Sequence, residues 1–220
     1  MGKAAKAESP SDRFLPWIVL LTAALFVPLF VFQKWGPLDF WWWITGNLVL
    51  LISIAVLCVP SFRRSLREDL RREILRKILI GILSAGILYA VFFAGNTFSK
   101  MILPFAQKEI PAIYGFKAGA APRRIFLLMA FLIGPGEEIF WRGYLQRGFA
   151  LKWGQTAGFL SATLLYAGVH IGSGNVMLIL AALTCGLAWG WLYLRFQSVL
   201  LNIISHTLWD LTIFLIFPLY

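Results

Sequence analysis

Long apolar segments constrain the fold of this chain more than any other feature of its sequence. A helix needs about 20 mostly apolar residues to cross a bilayer, and a backbone inside a bilayer must satisfy its own hydrogen bonds. We therefore predict an all-α fold, a polytopic transmembrane helical bundle of about seven spans. The predicted spans cover residues 15–33, 39–60, 78–99, 125–150, 155–171, 176–196 and 198–219.

The charge composition supports a membrane protein and argues against a nucleic-acid-binding protein. Only 14% of the residues are charged and 60% are hydrophobic, whereas about a quarter of the residues of a soluble domain are charged. The net charge of +10 comes from basic residues that cluster between the apolar segments, where they indicate membrane orientation. We therefore expect a lipid bilayer as the environment of the chain and no nucleic acid as a partner.

A basic linker separates the second predicted span from the third. Residues 61–77 hold seven of the twenty Lys and Arg residues, and Leu66, Leu70, Ile74 and Leu75 recur there at helical spacing. The pattern predicts a basic amphipathic interfacial helix or, alternatively, a solvated extension of the next span. The positive-inside rule places this linker and the N-terminus in the cytoplasm.

The chain is interpreted as one integral membrane domain. Residues 1–14 are polar and are predicted to form a disordered tail, residues 15–124 form the N-terminal spans and linkers, and residues 125–220 form a core. A second basic linker, at residues 100–124, is predicted to contain an interfacial or re-entrant helix at about residues 101–116.

Small residues inside the spans predict packing rather than chemistry. Gly186 and Gly190 form a G-x-x-x-G pair, which is typical of closely packed membrane helices. Cys58 and Cys185 lie in different apolar segments, so we expect both to be buried packing residues.

The last four predicted spans contain ionisable side chains at depths where such groups are costly. A charge at the centre of a bilayer costs at least about 2.5–3.5 kcal/mol, so it persists mainly where charges face one another or line a polar site. The mid-span set consists of Glu137, Glu138, Arg142, His170, His206 and Asp210. The set includes both histidines of the chain.

The spacing of these residues predicts how they face one another. Glu138 and Arg142 are four residues apart, so they share a helix face and can neutralise each other. Glu137 is rotated by about 100° from Glu138 and is left as the carboxylate available for chemistry. His206 and Asp210 are also four residues apart and share a face.

Gly134, Pro135 and Gly136 directly precede the two glutamates. Glycine and proline are the usual causes of a kink, and a kink in a membrane helix frees backbone groups and can open a polar cavity. We therefore expect an irregular helix at this point.

Three short motifs on successive predicted spans carry a family resemblance. The chain has E-E-x-x-x-R at residues 137–142, Y-x-x-x-H at residues 166–170 and H-x-x-x-D at residues 206–210. In this order the motifs resemble those of the CPBP family of intramembrane proteases, which contains CAAX prenyl endopeptidases and bacteriocin-processing enzymes. The resemblance covers about residues 125–215. Tyr166 stands where the family usually has phenylalanine.

The resemblance implies an intramembrane endopeptidase in which side chains activate a water molecule. Glu137 and His170 would hold and deprotonate the water, and His206 with Asp210 would stabilise the tetrahedral intermediate. Glu138 and Arg142 would orient the helix. The position of Asp210 is asparagine in the prenyl-protein enzymes, so the aspartate acts either as a protonated donor or by orienting His206.

A metal-dependent mechanism is the alternative within the same family. One carboxylate and two histidines, Glu137, His170 and His206, make a possible zinc set with an open position. We favour no cofactor, because these residues come from three separate helices without a short chelating motif.

The expected substrate is a membrane-anchored or lipidated protein, and the expected location is a prokaryotic plasma membrane. Two other functions are compatible with the same residues. The chain is alternatively a non-catalytic, family-like scaffold or immunity protein, or a proton-coupled transporter in which glutamate and histidine relay protons.

Overall fold

The structure is a computed structural model that describes residues 10–220, most of them in helices. Residues 1–9 of the predicted disordered tail lie outside the described residues, whereas residues 10–14 belong to the first helix. The side chain of Cys58 also lies outside the described part of the chain. Cys185 is buried, which confirms its predicted role in packing.

The described residues form nine helices, labelled α1 to α9, and one short hairpin, β1–β2. In chain order the elements are α1 (Pro10–Phe32), β1 (Lys34–Trp35), β2 (Leu38–Asp39), α2 (Phe40–Cys58), α3 (Pro60–Asp69), α4 (Ile74–Ile102), α5 (Ala106–Ile113), a 3-10 turn (Tyr114–Lys117), α6 (122–153), α7 (Gln155–Val169), a 3-10 turn (His170–Ser173), α8 (Val176–Phe196) and α9 (Val199–Leu211), which continues as a π-helical segment (Thr212–Ile216).

The all-α membrane fold predicted from the sequence is confirmed. Within residues 10–220, the helices α1, α2, α4, α8 and α9 are long and apolar enough to cross a membrane. The fourth and fifth predicted spans are also helical, as α6 and α7. Because α6 is interrupted and α7 has only 15 residues, the full count of about seven spans stays a prediction.

Helix α6 is irregular around the glutamate pair, as the Gly-Pro-Gly sequence predicts. Its α-helical turn Gly134–Glu138 lies between two π-helical segments, Met129–Ile133 and Ile139–Gln146. A π-helical turn widens the backbone and is frequently found at functional sites. The irregular stretch therefore directs Glu137 and Glu138 into the bundle, where both are buried.

Glycines bring the helices of the core into close contact. A Cβ atom added to Gly186 would lie 3.1 Å from Thr163 Cγ2, and one added to Gly190 would lie 2.8 Å from the ring of Phe159. Helices α7 and α8 therefore approach at the G-x-x-x-G pair, which confirms its predicted role. The hydroxyl of Thr163 also donates to the carbonyl of Gly186 across 3.1 Å.

The first part of the basic linker forms a separate amphipathic helix, and its last part is an extension of the next span, so each predicted alternative holds for one part. Helix α3 ends at Asp69, with Phe62 buried and its arginines exposed, so this part is a separate amphipathic helix. Ile74 and Leu75 instead begin α4. Asp69 ties the turn to the core, because its carboxylate accepts from Lys77 Nζ at 2.6 Å and from the main-chain N–H of Leu200 at 2.9 Å.

The second basic linker contains the predicted helix, now seen as α5. Glu109 joins α5 to the start of α8, because its carboxylate accepts from the main-chain N–H of Met177 at 2.9 Å. The side-chain amide of Asn175 donates to the carbonyl of Glu109 at 2.8 Å. These contacts close the bundle at one end beside α4, α8 and α9.

Candidate active site

Glu138 is the centre of a buried polar network between α6 and α9. Its carboxylate is fully buried and accepts from Arg142 Nη1 at 2.7 Å, as the spacing of four residues predicts. His206 Nδ1 lies 2.6 Å from the same oxygen, and Asn202 Nδ2 donates to the other oxygen at 3.1 Å. A carboxylate with these partners is anchored in place, which agrees with a structural role.

Glu137 has a different environment from its neighbour. Its side chain is also buried, but its carboxylate accepts from the hydroxyl of Tyr166 on α7, at 2.9 Å. Glu138 is 0% exposed and Glu137 is 8% exposed, so Glu137 lies closer to solvent-accessible space. The structure thus separates the pair into an anchored carboxylate and a more accessible one.

His206 lies between two carboxylates. Its Nδ1 faces Glu138 at 2.6 Å, and its Nε2 is 3.4 Å from Asp210 Oδ2. Both partners accept hydrogen bonds when ionised, so the geometry favours an imidazole that carries a proton on each nitrogen. The indole of Trp189 stacks on this ring at 3.6 Å between centroids and holds its plane.

His170 stands at the end of α7 and contacts Tyr166, its neighbour one helical turn earlier. The Nδ1 atom lies 2.7 Å from the carbonyl oxygen of Tyr166. Because a carbonyl oxygen only accepts, Nδ1 donates, and Nε2 of the neutral ring remains as an acceptor. The ring of Phe30 on α1 packs 4.3 Å from the imidazole centroid, so a helix outside the predicted core also shapes the site.

Tyr166 connects the two groups that were predicted to hold water. Its hydroxyl donates to Glu137 and its carbonyl contacts His170, whereas no hydrogen bond joins Glu137 to His170 directly within residues 10–220. The ring of Tyr166 also lies 4.9 Å from the guanidinium carbon of Arg142. Tyr166 is therefore a central residue of the site rather than a simple replacement for phenylalanine.

Sequence reasoning missed three contributions to the site. These are the amide of Asn202, the ring of Trp189 and the hydroxyl of Tyr166. Asn202 precedes His206 by four residues, so the shared helix face was a signal that could have identified it. Trp189 comes from a different helix, and no local pattern indicated its contact with His206.

The residues predicted as an alternative zinc set, Glu137, His170 and His206, stay a prediction. No three His, Cys, Asp or Glu side chains are placed to hold a metal ion in the described part of the chain. Both nitrogens of His206 face carboxylates, and Nδ1 of His170 faces a carbonyl oxygen.

Comparison with known proteins supports the predicted family. Residues 119–212 match the family model described as "Type II CAAX prenyl endopeptidase Rce1-like". No curated protein and no solved structure matches the chain. The matched segment contains all three motifs, and it confirms that the chain resembles the CPBP family of CAAX-type intramembrane proteases.

Proposed function

We propose that this protein is an intramembrane endopeptidase that hydrolyses a peptide bond of a membrane-anchored or lipidated protein without a metal ion. The unequal environments of Glu137 and Glu138 are the main support for this proposal. Glu138 contacts Arg142, Asn202 and His206, so we assign it a structural role. Glu137, held by Tyr166, is the carboxylate left to accept a proton.

Water activation is assigned to Glu137 and His170. Glu137 takes a proton from a water molecule, and the water oxygen forms a bond to the carbonyl carbon of the scissile peptide. Nε2 of His170 is a second acceptor for a hydrogen bond from the water, because the proton on its Nδ1 is directed to the carbonyl of Tyr166. A positioned base of this kind accelerates a reaction by about 10²- to 10⁴-fold.

Stabilisation of the tetrahedral intermediate is assigned to His206. As the water attacks, the carbonyl π electrons move to oxygen. The Nε2–H of His206, whose 3.4 Å contact with Asp210 is longer than the 2.6 Å contact of Nδ1 with Glu138, can donate to the resulting oxyanion. Asp210, at 3.4 Å from Nε2, is an acceptor for the same nitrogen. We therefore assign Asp210 to orienting His206 and not to donating to the substrate.

Collapse of the intermediate completes the reaction. The carbon–nitrogen bond breaks, and the proton held by Glu137 passes to the leaving nitrogen, which regenerates the carboxylate. The products are a new carboxyl terminus and a new amine, with no oxidant, reductant or cofactor required. Arg142 keeps Glu138 charged and in place throughout.

Location and substrate follow from the site and from the distribution of charges. The site is enclosed by apolar helices, so the substrate must reach it within or at the edge of the bilayer. We propose a prokaryotic plasma membrane, with the N-terminus and the arginine-rich α3 on the cytoplasmic side.

The test compares protein termini in membranes from cells that express the wild type or Glu137→Gln at equal levels. A terminus that appears only with the wild type identifies both the activity and the substrate. Glu68→Gln is the matched control, because Glu68 is exposed on α3 and its variant should generate the same terminus as the wild type. Identical termini in all three samples, with a deletion phenotype rescued by Glu137→Gln, would contradict the enzyme and favour a scaffold.

A further inference from the structure

A polar groove lies between the turn that joins α3 to α4 and the turn that joins α8 to α9. Its volume is about 420 Å³. One wall comes from the end of α3 and the start of α4, and the other comes from residues 195–198 and Leu201. Among the described residues that line it, none belongs to the candidate active site, so the groove is a separate feature of the molecule.

Two ion pairs neutralise four of the charged side chains that line this groove. Lys77 Nζ lies 2.6 Å from the carboxylate of Asp69, and Arg76 Nη1 lies 2.7 Å from the carboxylate of Glu73. These four residues therefore add no net charge to the groove.

Three charged lining residues remain, namely Arg72, Arg195 and Glu68. All three are exposed, and neither arginine forms a hydrogen bond or an ion pair with another described residue. The adjoining linker adds to the positive potential, because residues 61–77 hold seven basic and three acidic side chains. Two guanidinium groups against one carboxylate favour an anion, and the planar guanidinium binds phosphate oxygens with two parallel N–H donors.

Asp69 fixes the two walls of the groove to each other. Its carboxylate accepts from Lys77 Nζ in α4 and from the main-chain N–H of Leu200 in α9, at 2.6 and 2.9 Å. The side chains of Asp69 and Lys77 are each only 12% exposed. The separation of the walls is therefore set by internal contacts, and the two arginines stay available to a ligand.

The groove continues onto an apolar strip of α4 that faces lipid. Ile80 lines the groove, and Leu83 and Ile87 follow it at the three- and seven-residue spacing of one helix face. Leu83 is 64% exposed and Ile87 is 57% exposed, in a helix that is long and apolar enough to cross the membrane. A charged groove next to such a strip fits a molecule with an anionic head and a hydrocarbon chain.

An anionic phospholipid uses the whole of this arrangement, and other anions use only part of it. Free phosphate would meet the arginines but would leave the apolar strip uncovered. Phosphatidylcholine also carries a phosphate, but its choline cation is repelled by the surrounding basic residues. Clusters of four to eight Lys and Arg residues beside a membrane helix on the cytoplasmic side are typical of sites for anionic lipids.

We propose that this groove binds one anionic phospholipid, with its phosphate on Arg72 and Arg195 and an acyl chain along Ile80, Leu83 and Ile87. The proposal is independent of the proposed endopeptidase function, because it uses none of the residues assigned to hydrolysis. It gives the arginines at the α3–α4 turn a specific ligand in addition to their general role in membrane orientation.

The first test measures lipid adducts of the purified full chain by native mass spectrometry. Protein in detergent is titrated with dioleoylphosphatidylglycerol or with dioleoylphosphatidylcholine, and the dissociation constant of the first adduct is determined. We expect the glycerol lipid to bind more tightly than the choline lipid by a factor of about ten or more.

Arginine variants locate the binding site. The double variant Arg72→Gln/Arg195→Gln should weaken phosphatidylglycerol binding by about tenfold or more. The control Arg63→Gln/Arg64→Gln removes the same charge from exposed positions of α3 that do not line the groove, and it should weaken binding by less than about threefold. The single variants Arg72→Gln and Arg195→Gln, each expected to weaken binding by about threefold or more, keep the test decisive if the double variant does not fold.

The second test separates a lipid from a soluble phosphate. Inorganic phosphate and sn-glycerol 1-phosphate carry the anion without acyl chains, so neither should displace phosphatidylglycerol at an equal concentration. Displacement by either compound at that concentration would overturn the lipid in favour of a soluble phosphate site.

The variants provide the remaining outcomes that would overturn the proposal. An equal loss in Arg63→Gln/Arg64→Gln would replace the groove by diffuse attraction to the whole linker, and unchanged binding in Arg72→Gln/Arg195→Gln would overturn the site altogether. The titrations contain no peptide, so they do not depend on proteolysis. Glu137-dependent termini in cells, together with equal binding of the two lipids, would contradict only the lipid site.

Discussion

Glu138 and His206 form a 2.6 Å contact that joins α6 to α9 through the middle of the bundle. The same oxygen of Glu138 accepts from Arg142 at 2.7 Å, so one carboxylate faces two basic groups. The second motif glutamate therefore positions both the helix that carries Glu137 and the imidazole that faces the reaction. Replacement of Glu138 should therefore lower the stability of the fold, whereas replacement of Glu137 should mainly lower activity.

The first prediction concerns the stability of this network. Glu138→Gln should lower the free energy of unfolding by about 3–5 kcal/mol, because it leaves a buried guanidinium without its ionised partner. Glu137→Gln keeps its hydrogen-bond partner Tyr166 and should change stability by less than about 1 kcal/mol. Thermal unfolding of both variants in the same detergent tests this contrast, and equal losses would contradict the division of roles.

Tyr166 offers a second prediction, because its ring and its hydroxyl have different tasks. Tyr166→Phe removes the hydrogen bond to Glu137 but keeps the ring that packs 4.9 Å from Arg142. Production of the wild-type terminus should fall by no more than about tenfold. Tyr166→Ala, which removes both contributions, should abolish it. A complete loss in Tyr166→Phe would show that the hydroxyl takes part in the chemistry.

Asp210 provides a third prediction. Asparagine at this position still presents an oxygen to His206 Nε2, which lies 3.4 Å from the present carboxylate. Asp210→Asn should therefore retain activity within about tenfold, whereas Asp210→Leu should lose about 10²-fold or more. The yields of the substrate-derived terminus from cells with matched expression provide the measurement. Equal activity in the leucine variant would remove Asp210 from the site.

The fourth prediction concerns metal ions. Since Glu137, His170 and His206 do not form a common ligand set in the described part of the chain, cleavage should be insensitive to chelation. The purified protein is incubated with 1,10-phenanthroline or with its non-chelating isomer 1,7-phenanthroline, and cleavage of the identified substrate is then compared. Loss with the 1,10 isomer that added zinc restores would show that the donors rearrange around a metal ion.

The fifth prediction tests the packing of the core helices. Gly190→Leu should destabilise the protein by about 1–3 kcal/mol or more, because a Cβ at this position already lies 2.8 Å from the ring of Phe159. Gly86→Leu, where nothing lies within 4 Å of the added Cβ, serves as its control. Midpoints of thermal unfolding for both variants distinguish a packing effect from a general effect of leucine in a membrane helix.

Local patterns in the sequence identified several features that the structure reproduces. Apolar segment length predicted helices, and the spacing of four residues predicted the pairing of Glu138 with Arg142. The small residues Gly186 and Gly190 predicted a close helix contact. Each of these signals lies within a short stretch of one helix, so the order of residues along the chain is enough to reveal it.

Contacts between distant helices could only be decided by the tertiary structure. His206 was expected to pair with Asp210, but its shorter contact is with Glu138, 68 residues away. The stacking of Trp189 on His206 and the hydroxyl of Tyr166 on Glu137 likewise join separate helices. Helical periodicity specifies which face a side chain occupies, but the relative rotation and depth of two helices follow from packing across the whole bundle. The sequence therefore determined which charged groups lie in the membrane, and the tertiary structure decided which of them neutralise one another and which one remains accessible.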